Sequence, residues 1–134
     1  MDSKCTLFTG GAIACGAILI SCATLQKHVI LDGAEIRNDS LHEVRDVEAL
    51  HEPTMKMGKV NQILPQHSFF LRFSQAPMLS KTSTLTWATR DGRRYQKQFT
   101  LPANDEAARA GRPMRLVYVI QSGGRAEVRL VPSP

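Results

Sequence analysis

The sequence predicts a mainly β protein: a small antiparallel β-sandwich, immunoglobulin-like or transthyretin-like, with one short helix, behind an N-terminal signal segment. Three observations carry that expectation. Apolar and polar residues alternate in short runs, turn residues break those runs at short spacing, and helical periodicity is confined to one stretch of about two turns. With 134 residues and 43% apolar content there is material for a single modest core.

Taken in order, the candidate strands begin with "AEIRN" (Ala34 to Asn38), "EVRDVEAL" (Glu43 to Leu50) and "KVNQIL" (Lys59 to Leu64). Asn38-Asp39-Ser40 and Pro65-Gln66 supply the breaks. "SFFLRF" (Ser68 to Phe73) puts Phe69, Leu71 and Phe73 on one face and Phe70 on the other. In "TLTWAT", Leu85 and the single tryptophan, Trp87, share the core parity. "YQKQFTL" gives Tyr95, Phe99 and Leu101 one face, and Asp91-Gly92 between these two runs suits a two-residue type I′ turn. "RLVYVIQ" (Arg115 to Gln121) is apolar at both parities, as in a strand covered on both sides, and "SGG" turns it into "AEVRLV" (Ala126 to Val131). The helix runs from Asn104 as N-cap, through Asp105 and Glu106 at the positive end of the dipole, to Gly111 as its stop.

The N-terminus reads differently. A short polar start is followed by the uncharged run "LFTGGAIACGAILI" and then by small residues, the layout of a secretory signal. As a membrane span it is poor: Cys5 to Cys22 is 18 residues, roughly 27 Å of helix, at the bottom of the spanning range. Gly10, Gly11 and Gly16 weaken it further. All 3 cysteines lie at or before Cys22, so no disulfide or zinc-thiolate cluster can form downstream.

"LISC", Leu19-Ile20-Ser21-Cys22, resembles the lipobox of bacterial lipoproteins. The resemblance implies cleavage between Ser21 and Cys22 and a diacylglyceryl thioether on the Cys22 sulfur, a bond that needs a soft nucleophile. Acyl chains at about 0.8 kcal/mol per buried CH₂ would then hold the protein on a membrane. Because Ala23 and not an aspartate follows the cysteine, the sorting rule of Gram-negative lipoproteins implies the outer membrane, facing the periplasm. Ordinary secretory cleavage after Ala12-Ile13-Ala14 and an uncleaved anchor are the competing expectations. The organisation expected is thus a signal peptide over 1–21, a lipidated tether over 22–32 and one sandwich domain over 33–134.

Net charge is +5, which favours anionic partners. Arg90, Arg93, Arg94 and Lys97 crowd the hairpin around Asp91-Gly92 and are candidates for meeting an envelope protein or a cell-wall acid, with Phe70 as a candidate apolar contact. Arg109, Arg112 and Arg115 form a second basic cluster. Nucleic acid is not expected, because no aromatic stacking platform is interleaved with these charges. "HEPTMKM" groups the soft ligands His51, Met55 and Met57, which could select Cu(I), although the fragment only faintly resembles periplasmic copper chaperones and lacks their His-x-Met. No serine-hydrolase elbow, zincin or P-loop motif occurs, and copper apart no cofactor is expected. The expectation is a non-catalytic binding or assembly module of the cell envelope, with a copper-binding protein as the main alternative and a cell-wall hydrolase or inhibitor as the further one.

Overall fold

A computed structural model describes residues 28–52, 56–102 and 104–134. Among them are eight strands, β1 (Ile30–Asn38), β2 (Val44–Glu52), β3 (Lys56–Ile63), β4 (Ser68–Pro77), β5 (Thr82–Thr89), β6 (Arg94–Thr100), β7 (Pro113–Gln121) and β8 (Arg125–Pro132), and one helix, α1 (Asp105–Ala110). They form a sandwich of two four-stranded sheets, ordered β4-β1-β7-β8 and β3-β2-β5-β6. Every pairing is antiparallel except β1 with β7, which is parallel. Consecutive strands β1 and β2 sit in opposite sheets, whereas the immunoglobulin order places the first two strands together. Of the two sandwich classes expected, this leaves the transthyretin-like one.

The core is where alternation places it. Ile36, Val44, Val47, Leu85, Trp87, Leu116, Tyr118 and Ile120 are almost wholly buried, and Phe69, Phe73, Tyr95 and Phe99 pack against them from the strands at the sheet edges. Trp87 stacks on Tyr95 with ring centroids 5.4 Å apart. A side chain of this size, truncated to alanine in a core, typically costs about 3–5 kcal/mol. The two sheets also touch at the side where β3 faces β4: Gly58 lies under Leu71 so closely that a Cβ there would fall on the leucine side chain.

β7 is covered on both faces, as its doubly apolar sequence predicts. Val117 stands between Glu35 and Arg129, and Val119 between Arg37 and Glu127. Ion pairs Arg37–Glu35 at 3.1 Å and Arg129–Glu127 place charged heads beside those valines, whose exposure is only 6% and 1%. The aliphatic stems of such side chains shield apolar surface while their heads stay wet.

Two expectations change in detail. The sheet begins earlier than Gly33: Ile30 pairs with Pro77 and Pro113, and the Val29 carbonyl accepts from Met78 N at 2.7 Å, because Val29 and Leu31 are apolar enough to be buried at 5% and 2%. Residues 30–32, expected in the tether, therefore belong to β1. The β5–β6 connection is a three-residue loop and not a type I′ turn. Thr89 pairs with Arg93, Gly92 N donates to Thr89 O, and Gly92 takes φ 91 while Asp91 keeps negative φ. This is the type I turn plus left-handed glycine that a G1 bulge requires; the Asp91 side chain, accepting from Thr89 Oγ1 and Arg93 N, supports it. The helix follows expectation: Asn104 Oδ1 accepts from Ala107 N at 2.9 Å, and Gly111 ends α1 at φ 67.

Candidate functional site

β1 runs the length of the sandwich, and its two ends define two different regions. At its C-terminal end, Asn38 is fully buried and acts as a hub. Its Nδ2 donates to His42 O at 2.9 Å and Ile63 O at 3.0 Å, and its Oδ1 accepts from Ser40 N at 3.0 Å. Asn38 N donates to His67 O and Asn38 O accepts from Gln66 N. The β1–β2 and β3–β4 loops are thereby tied to one side chain whose polar atoms are all used. Each loop holds out a leucine: Leu41 is 78% exposed and Leu64 49%.

Beside these loops lies a cleft of about 630 Å³, lined among others by His42, Glu43, Trp87, Arg90, Arg93 and Tyr95 and closed by the β7–β8 turn. Its carboxylates are already engaged. Glu43 is 2.6 Å from Arg45, whose hydrogen bond holds its carboxyl below the ordinary range. Asp91 is likewise held low, first by the Thr89 hydroxyl and then by the Arg93 backbone, and its ion pair with Arg93 spans 3.7 Å. Arg90 has no carboxylate within ion-pair distance among the described residues.

The sequence-predicted partner residues are divided among three places. Arg90 and Arg93 line the cleft. Arg94 lies 3.9 Å from Asp46, whose φ of 48 marks a bulge in β2. Lys97, paired with Leu85 on the core parity of β6, is nevertheless exposed, because β6 is an edge strand and an inward charge there discourages strand addition. Phe70 is on the outer face of the other sheet, 37% exposed, over Gly33 and with the Arg115 guanidinium 4.3 Å from its ring centroid. Arg115 also approaches Asp32 to 3.9 Å, so the second basic cluster is split as well.

Of the three expected copper ligands, only the His51 side chain lies among those described. His51 is 7% exposed, faces the core, lies 3.2 Å from the Tyr118 hydroxyl through Nε2 and meets Phe73 edge-on. Burial pushes its pKa down and that of Tyr118 up to about 12. Both groups therefore stay neutral near pH 7, and the phenol can donate to the imidazole. Met57 stands in β3 at the register position of Leu50, and Met55 lies outside the described residues. Among the described residues no three His, Cys, Asp or Glu come together as a metal site. Ser21 and Cys22 also lie outside the described residues.

The loop hub was missed in the sequence. In the sequence Asn38 reads as a strand end and turn residue, and nothing in a lone Asn-Asp-Ser announces that its amide will reach Ile63, 25 residues away. No family model matches the chain, and no curated protein matches its sequence. Among solved structures it is similar to a protein from Eubacterium rectale determined by NMR, with a TM-score of 0.50 and 13% identity over 84% of this chain and 97% of that one. At that identity the likeness concerns the sandwich fold alone.

Proposed function

We propose that this protein is a lipoprotein of the cell envelope, anchored through Cys22, whose sandwich is a non-catalytic binding or assembly module. The observation that carries the reading is polarity. The chain enters the sandwich at Val29 and Ile30, beside Pro77 and Pro113, whereas the Asn38-braced loops, Leu41, Leu64, Arg90 and Arg93 are at the opposite end. β1, at 9 residues, separates the two ends by roughly 30 Å. From Cys22 to His28 the chain reaches at most roughly 20 Å, so an anchor at Cys22 holds the entry end near the bilayer and turns the braced loops away from it.

A surface offering two fixed leucines beside two arginines suits an envelope protein segment with apolar and acidic residues. Binding there needs little ordering of the loops, since Asn38 has already ordered them. Two measurements test the reading. Intact mass of the isolated protein is expected to show a chain beginning at acylated Cys22; a chain beginning elsewhere without lipid refutes the anchor. Crosslinking in whole cells is expected to capture a partner that Leu41→Asp with Arg90→Glu releases, and capture unaffected by that pair of changes refutes the loop end as the binding surface.

A further inference from the structure

A second cleft, of about 490 Å³, opens at the entry end of the sandwich, independently of the loop surface. Its walls are mostly apolar, with Leu31, Leu71, Phe73, Ala76, Pro77 and Leu79, and also include Ser74 and the buried Ser80. Leu31 and His51 form the buried floor, at 2% and 7% exposure, and Leu79 forms a lip that is 54% exposed. The cleft lies where β4 bulges against β1: their register slips between Leu31 and Gly33, and Gln75 takes φ 46. Where β4 stays in register, Leu71 closes on Gly58 and the sheets meet.

The polar groups are few and placed at different depths. The floor imidazole is held neutral by burial, so an apolar chain in the cleft faces no charge. At the rim is Arg72, which makes a cation–π contact with Phe70 at 5.9 Å and has no carboxylate within 4 Å among the described residues. A cavity in the range of about 300–1,000 Å³ lined mostly by apolar side chains with a few polar groups is the ordinary form of a small-ligand site. A cationic rim on an apolar trough matches a chain that is apolar along its length and anionic at one end.

We propose that this cleft binds one acyl chain of an anionic amphiphile, the chain lying along Leu31, Phe73 and Leu79 and the headgroup meeting the Arg72 guanidinium. A guanidinium contributes charge-assisted, paired hydrogen bonds to a carboxylate or phosphate. The position fits this ligand on the proposed anchor, and the fit rests on that reading: the cleft is at the end where the short segment from an acylated Cys22 would enter the sandwich, next to the bilayer.

The test uses the intact protein in phosphatidylcholine nanodiscs and a palmitic acid carrying a photoreactive diazirine near its methyl end, with labelled sites read by peptide mass spectrometry. Labelling is expected to concentrate on Leu71 to Leu79. Arg72→Glu, on an exposed position that leaves the core intact, is expected to lower it about tenfold, equivalent to about 1.4 kcal/mol. Ala76→Trp is expected to abolish it, with an unchanged far-ultraviolet circular dichroism spectrum and melting temperature confirming that the sandwich remains folded. Arg93→Glu, at the far end, is expected to change nothing. Labelling spread evenly over the chain, or unaltered by both Arg72→Glu and Ala76→Trp, overturns the proposal. So does equal labelling by the matching long-chain alcohol, which removes the anionic requirement. A peptide recovered from the cleft, with no probe uptake, overturns it in favour of a protein ligand. Because none of these outcomes involves Leu41 or Arg90, failure here is distinguishable from failure of the loop surface as a partner site.

Discussion

The two ends of the sandwich solve the same problem, irregular backbone next to a core, in opposite ways. At the loop end a single buried amide satisfies carbonyls and N–H groups from two loops, and the apolar residues Leu41 and Leu64 are left outside. At the entry end the polar pair His51 and Tyr118 is withdrawn into the core, and the space beside it is left lined by apolar side chains. The difference teaches where rigidity is invested. Hydrogen bonds that are fully matched in a dry setting are costly to break singly, so the loop end is stiff by construction. The entry end instead has its cleft lined mostly by apolar side chains, with no such hub beside it.

That contrast can be broken most directly at Asn38. Asn38→Ala removes the side-chain partner of Ile63 O and Ser40 N and leaves His42 O only the Ser40 hydroxyl, and is expected to cost about 3 kcal/mol, read as a lower urea midpoint at unchanged m. A cost near zero would mean that water replaces the amide and the loop end is not braced. Gly58→Ala comes next, at about 2 kcal/mol, because the added methyl must displace Leu71 where the sheets meet. It should also widen the entry-end cleft and alter uptake of the acyl probe, a change that Asn38→Ala should not produce.

Smaller effects refine the comparison. Asn104→Ala removes the cap of α1 and is expected to cost about 1 kcal/mol, a local loss next to the larger one at Asn38. The pH dependence isolates His51. Its folded pKa lies below the ordinary 6.5, so between the two values the unfolded chain binds more protons and stability rises with pH. The contribution is complete above 6.5 and is lost as pH falls through the unfolded value toward the folded one. Thermal melts from about pH 7.5 to 5 should show this slope, and His51→Gln, neutral throughout, should flatten it. An equal slope in the variant would assign it to other groups.

Much of this was readable from local chemistry. Alternation in "TLTWAT" and "AEVRLV", the Asn104 and Gly111 caps and the Gly123-Gly124 turn act over a few residues, and the chain has no cheaper local option there. The β5–β6 loop was placed correctly and its type was not, because Asp91 can favour either turn by local hydrogen bonds and only the strand register decides between them. Of the candidate site, Arg90 and Arg93 are visible as charge, whereas Arg94 and Lys97 share that charge without sharing the place, and Phe70 stands on the other sheet.

Sequence alone therefore determined the strands, the helix and the parity of the core, since propensity and alternation act within one element. The tertiary structure decided the parallel β1–β7 pair, the reach of Asn38 to Ile63, and the burial of His51 against Tyr118, 67 positions away. Each of these depends on which distant strand becomes a neighbour, and that is settled by packing two sheets face to face, a cooperative outcome that no single stretch of chain encodes.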